Sequence, residues 1–182
     1  MKTILVKDVM VPISDYATVS KEATLYDAVM ALEKAQAEFD QNRYRHRGIL
    51  VYDENGKIMG KISQTAVLRA LEPKYEQFEM PRSRYPFTPS FMKSLFNQYD
   101  LWNKPLDDIC KKAGQKRVKD FVEGFDEGEI VEEETSLNEA IHMLVVGQLQ
   151  SLLVMRKGEV SGILRLTDVF HEVFNMVKAC EL

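Results

Sequence analysis

The chain contains the same stretch twice. Lys7-Asp8-Val9-Met10 returns as Lys119-Asp120-Phe121-Val122, 112 residues further on, and that spacing holds without a gap through Val19/Val131, Leu25/Leu137, Ala28/Ala140 and Leu32/Leu144. Nine residues of the first copy are then missing from the second, after which Leu50-Val51 matches Leu153-Val154, Gly60 matches Gly162 and Thr65 matches Thr167. A copy of about 60 residues buries only ~60% of its unfolded surface and is marginal alone. Duplication therefore predicts two copies packed sheet to sheet as a pseudo-twofold pair rather than two separate beads.

Each copy reads as the same ordered elements. Thr24-Leu25-Tyr26-Asp27 and Ser136-Leu137-Asn138-Glu139 carry the capping pattern of a helix start, and Leu25, Ala28, Val29, Leu32 and Leu137, Ala140, Ile141, Leu144 follow with helical spacing. Two β-rich runs come next, Gly48-Ile49-Leu50-Val51-Tyr52 and Ser151-Leu152-Leu153-Val154-Met155, each ended by a turn at Asn55-Gly56 or Lys157-Gly158 and a returning strand over 58–62 or 160–164. A closing helix spans 65–71 or 167–177, the latter with Val169, Phe170, Val173, Phe174 and Val177 on one stripe. Short extended segments at Thr18-Val19 and Ile130-Val131 precede the units. The fold class expected is α/β (α+β), two β-α-β-β-α repeats with a helical insert, divided as 1–73, 74–117 and 118–182.

The insert differs from both copies. Residues 74–118 hold nine Lys or Arg against five Asp or Glu, and eight of the seventeen aromatic residues. Such aromatic density does not belong to a flexible linker. Phe91, Met92, Leu95, Phe96 and Tyr99 after Pro89-Ser90 fit a capped helix, and a second helix is expected over 106–113 with Gly114 as its stop. Two roles are open: an arm centred on Trp102 that docks a partner or forms a dimer, or a segment packing across the repeats.

The remaining composition narrows the function. With 24 Lys+Arg and 28 Asp+Glu the net charge is −4, so the overall field does not favour nucleic acid or an anionic membrane. No run approaches the roughly 18 apolar residues of a spanning helix, and Ile4-Leu5-Val6 is cut short by Asp8, too early for a signal sequence. Cys110 and Cys180 form neither a redox pair nor a disulfide framework, which suits a cytoplasmic protein. None of the glycine-rich phosphate loops or serine-nucleophile motifs occurs, so no catalytic apparatus is visible.

The order Lys-Asp-Val-Met, Thr-Leu-x-x-Ala, Gly-Ile-Leu-Val-Tyr-Asp-x-x-Gly and Gly-x-Ile-Ser, repeated as Lys-Asp-Phe, Ser-Leu-x-x-Ala and Gly-Ile-Leu-Arg-Leu-Thr-Asp-Val, resembles tandem CBS domains, the Bateman module. The resemblance covers both repeats and not the insert. It implies a regulatory module without catalysis of its own, assembled as a homodimer, that binds an adenosine-containing ligand (AMP, ADP, ATP or S-adenosylmethionine) between the repeats and acts on a further, unidentified protein.

In that family the ligand signature is a Ser or Thr three residues before an Asp at the start of the last helix. A hydroxyl and free backbone N–H groups suit a phosphate there, and a carboxylate one turn on can accept from both ribose hydroxyls. Here the signature is split. Ser63-Gln64-Thr65-Ala66 keeps the hydroxyl and loses the carboxylate; Arg165-Leu166-Thr167-Asp168 keeps the carboxylate and replaces the hydroxyl by a guanidinium, itself a good phosphate donor. The expectation is one competent site, Asp168 on ribose with Arg165 and Thr167 on phosphate, and a weak or empty one at Ser63 and Thr65. Arg47 would reach a phosphate from the rim, and Val11 or Ile130 would wall the base. Asp168 equally suits plain helix capping, and loss of both sites would leave an interaction and dimerisation scaffold.

Three features stay secondary. Arg43-Tyr44-Arg45-His46-Arg47 lies where the first copy has its extra residues; it reads as a solvated face, a phosphate rim or, last, a nucleic-acid contact. His46, His142 and His171 lack the companions of a metal site, His142 being expected at the edge of the core. The acidic stretch 126–134 lacks a calcium-loop pattern and reads as solvated.

Overall fold

The computed structural model describes residues 3–40, 42–77, 87–101 and 108–179. Each repeat forms its helices where the caps predict. The Thr24 hydroxyl accepts from the Asp27 amide at 3.1 Å and the Asp27 carboxylate accepts from the Thr24 amide at 2.9 Å, so both halves of the capping box close over α2 (Leu25–Glu38). The Ser136 hydroxyl alone caps α6 (Leu137–Gly147), at 3.3 Å from the Glu139 amide. The hairpins are β3 (Gly48–Tyr52) with β4 (Ile58–Ser63), and β6 (Ser151–Arg156) with β7 (Glu159–Arg165). They lead directly into α3 (Gln64–Leu71) and α7 (Leu166–Lys178).

Two small sheets result. In one, β2 (Thr18–Ser20) runs parallel to β3, which pairs antiparallel with β4; in the other, β5 (Ile130–Glu132) runs parallel to β6, and β6 antiparallel to β7. Ile49, Leu50 and Val51 are buried in succession, as are Leu152, Leu153 and Val154. Consecutive burial in a strand requires cover on both faces. Ile49 and Val51 pack toward helices α2 and α3, Leu152 and Val154 toward α6 and α7, while Leu50, Leu153 and Ile163 meet one another at the seam between the sheets with Val11, Tyr16 and Phe39.

The repeats also exchange their leading segments. Short helix α1 (Val6–Val9) and strand β1 (Val11–Pro12) of the first copy lie on the second, where β1 pairs with β7, while Glu123 of the second copy bridges Lys61 in β4. The exchange is reciprocal down to single bonds. The Leu137 amide donates to the Ile4 carbonyl and the Leu25 amide to that of Lys116; Lys7 pairs with Glu134 at 2.7 Å and Lys119 with Glu22 at 2.8 Å. Gly60 and Gly162 make room for the crossing strands: a Cβ at Gly60 would stand 2.5 Å from the Glu123 carbonyl oxygen, and one at Gly162 would collide with that of Val11.

The connector contributes α4 (Pro89–Gln98) and α5 (Ile109–Gln115). Thr88 caps α4, and its Phe91, Met92 and Phe96 are exposed, so that stripe is not core. Ile109 and Ala113 of α5 pack on Leu25, Ala70 and Leu71 of the first repeat. Leu106 and Trp102, and with Trp102 the centre of the expected arm, lie outside the described residues. Along α7 only Val169 of the predicted stripe is buried; Phe170, Phe174 and Val177 face outward. Among the described residues no helix is long and apolar enough to cross a membrane.

Candidate ligand-binding site

Both hairpins end at the seam, so the first turns of α3 and α7 begin beside it. The Ser63 hydroxyl accepts from the Ala66 amide and donates to the Glu123 carboxylate, each at 3.1 Å. A cavity of about 330 Å³ opens between the two helix starts, walled by Arg47, Lys61, Ser63, Glu129, Thr167 and the short connection at 148–150. Its floor is apolar, with Ile49, Ile62 and Ile163. Lys61 pairs with Glu129 and also stands 5.2 Å from the Phe125 ring centre. This hollow therefore combines an apolar floor, the cations Arg47, Lys61 and Arg165 and the carboxylates Glu123 and Glu129, the ingredients for an amphiphilic anionic ligand.

The other side of the seam is built differently. Arg165 grips Asp168 through Nε to Oδ2 and a terminal nitrogen to Oδ1 at 2.7 Å, and both side chains are only 5% exposed. Arg43 adds a second guanidinium 3.2 Å from Oδ1 and donates to the Val9 carbonyl at 3.0 Å. The remaining terminal nitrogen of Arg165 donates to the Tyr44 carbonyl at 2.9 Å and lies 3.2 Å from His46 Nδ1. Phe39 stands under both guanidiniums, 5.4 Å from Arg43 and 5.3 Å from Arg165.

Burial sets the protonation of the neighbours. His46 is 1% exposed between Tyr16 and Phe39, ring centres 4.5 and 4.3 Å away. Its pKa falls to about 4, from burial first and the Arg165 charge second. The imidazole is thus neutral at pH 7, and Nδ1 can accept from Arg165. Burial likewise pushes the Tyr16 phenol up to about 12.

The residues singled out in the sequence divide accordingly. Arg47, Ser63, Arg165 and Thr167 come together on the open cavity, and Thr65 is exposed on the first turn of α3. Asp168 is bonded to Arg165 and lines a separate hollow of about 340 Å³ with Asp8, Arg43, Tyr44 and His171. Val11 is fully buried in the seam, and Ile130 lines a separate hollow between the hairpin turns, so neither reaches the cavity. Residues 43–47 are not strand: Arg43 turns inward while Arg45 and Arg47 are exposed. His142 is exposed rather than at the core edge. The acidic stretch is only partly solvated, since Glu129 pairs with Lys61 and Glu133 with Arg156 at 3.1 Å. Phe39, Lys61 and Glu123 were not foreseen; the one signal for Phe39 and Arg43 is the nine-residue excess that carries them.

The sequence pattern of the CBS domain matches residues 6–73 and 119–175. The chain belongs to the CBS domain family. Its two CBS domains form a tandem pair whose architecture is also found in solved structures. The CBS-pair protein CBSX2 from Arabidopsis thaliana shares 19% identity at a TM-score of 0.59, covering 98% of this chain and 100% of that one. CBSX2 in complex with AMP shares 20% identity at 0.58, covering 95% and 98%. The CBS domain of the bacterial CNNM/CorC family Mg2+ transporter in complex with ATP shares 15% at 0.57, covering 93% and 87%. At these identities the likeness is one of fold. Among curated protein sequences none matches significantly.

Proposed function

We propose that this CBS pair is a cytoplasmic, non-enzymatic sensor that binds an adenine nucleotide or other adenosyl ligand between its repeats and signals occupancy through a homodimer. The observation that carries the reading is the open cavity at the seam, where the starts of α3 and α7 and the cations Arg47 and Lys61 converge over an apolar floor. Solved relatives of this fold hold AMP or ATP. In this reading the base lies over Ile49, Ile62 and Ile163. The phosphate meets Thr167 and Arg47. Glu123, already holding the Ser63 hydroxyl, supplies the carboxylate for ribose that Ala66 does not.

Such a ligand touches both repeats at once. It shifts the balance between a closed and an open pair by as much as its affinity differs between them, and no more. The outward Phe170, Phe174 and Val177 on α7, 61%, 46% and 59% exposed, form a face suited to a second copy, through which the shift would pass to the regulated protein. Titration of AMP, ADP, ATP and S-adenosylmethionine into the protein by calorimetry tests the reading. Binding of at least one, weakened by Arg47→Ala, is the expected result. Absence of binding by all four would leave the dimerisation scaffold, which the occupied Asp168 and the missing carboxylate at Ala66 favour.

A further inference from the structure

Resting on that reading, we infer that the residues between α2 and β3 are a built-in occupant of the Asp168 half of the seam, so that the pair takes one adenosyl ligand and not two. The two halves are related by the repeat, and the comparison is therefore direct. In the second copy Gln148, with φ of 53°, stops α6, and three residues lead into β6; the cavity beside them stays open. In the first copy α2 runs on to Glu38, and the nine-residue excess places Phe39, Arg43, the Tyr44 carbonyl and His46 on the Arg165–Asp168 pair.

Each of these groups sits where a ribose phosphate has a use for the space. Arg43 bonds Asp168 Oδ1, an acceptor suited to a ribose hydroxyl. The Phe39 ring, 9% exposed, fills the seam as a flat aromatic body beneath two guanidiniums. The Tyr44 carbonyl and His46 Nδ1 engage the Arg165 nitrogen that would otherwise point at a phosphate. In the half that keeps the family's carboxylate, Arg165 and Asp168 are thus already engaged by the protein itself, beside an outer hollow of about 340 Å³ on Asp8, Arg43, Tyr44, Asp168 and His171; the half that lost it has no such occupant.

The experiment is calorimetric stoichiometry on the full chain, with AMP, ADP, ATP and S-adenosylmethionine as probes, comparing wild type with a Phe39→Ala/Arg43→Ala double variant. One equivalent for wild type and two for the variant is expected, with the added equivalent abolished by Asp168→Asn. Where the double variant lacks a cooperative melt, Phe39→Leu with Arg43→Gln takes its place. One equivalent for both proteins, or two for wild type, overturns the inference and leaves the sensor reading intact. No binding by wild type with one Asp168-dependent equivalent in the variant overturns the stoichiometry of one and removes the open cavity as the site. No binding by either overturns both.

Discussion

Arg165 and Asp168, three residues apart at the start of α7, bond each other through two guanidinium nitrogens and both carboxylate oxygens while almost wholly shielded from water. A carboxylate read from the sequence as a ligand contact is therefore also a fixed part of the seam. Its removal leaves two guanidiniums without their counter-ion.

Asp168→Asn is expected to cost about 3–5 kcal/mol, because stripping one partner from a buried pair leaves the other charge uncompensated. Arg43 is 29% exposed, and Arg43→Ala should cost only about 1 kcal/mol. Urea unfolding followed by circular dichroism measures both; equal losses would mean that Arg165 does not by itself hold the carboxylate.

His46 makes stability depend on pH. Its folded pKa of about 4 lies below the ordinary 6.5, so between those values the unfolded chain binds a proton that the native one refuses. Stability from this group is complete above about pH 7 and declines as pH falls toward 4, by roughly 3 kcal/mol in all. Unfolding free energies at pH 7.5 and 5.0 should differ less in His46→Gln, whose amide oxygen can still accept from Arg165. An unchanged difference contradicts the assignment.

Gly60 and Gly162 test the exchanged segments. An added methyl group at either meets a backbone carbonyl of the crossing strand, which cannot swing aside like a side chain. Gly60→Ala and Gly162→Ala should each lose about 1–3 kcal/mol, seen as a melting temperature lower by several degrees. Gly114→Ala in α5, where a Cβ meets nothing within 4 Å, serves as the control and should lose nothing.

If an anionic nucleotide occupies the open cavity, Arg47→Ala removes one charged hydrogen bond and weakens binding by about 1.5–3 kcal/mol, roughly 10- to 150-fold. In thermal denaturation, ligand at 100 times its dissociation constant should stabilise the wild-type protein by about 2.7 kcal/mol. A variant bound as tightly as wild type would move Arg47 out of the site.

The outward face of α7 predicts its own outcome. Phe170→Glu with Phe174→Glu places two charges where a second copy is proposed to pack, and light scattering should then report a monomer. A wild-type mass already equal to one chain would rule this dimer out.

The sequence by itself determined the duplication, the caps and the hairpins, because these rest on short-range chemistry. Thr24 finds Asp27 three residues away, and apolar residues recur at the period of their own element. It also implied that the two copies pack sheet to sheet, since a copy of about 60 residues is marginal alone. Only the tertiary structure decided which half of the seam has its polar groups taken by the chain itself. Ser63 and Arg165 hold equivalent positions in the repeat, yet Arg165 is taken by Asp168, Tyr44 and His46 because an extra loop, close to it in space and about 120 residues away in the chain, folds over it. Lys61 and Glu129 likewise meet across the exchanged strands. Residue types fix what a side chain can bind; which partner reaches it first depends on long-range packing that no local pattern encodes.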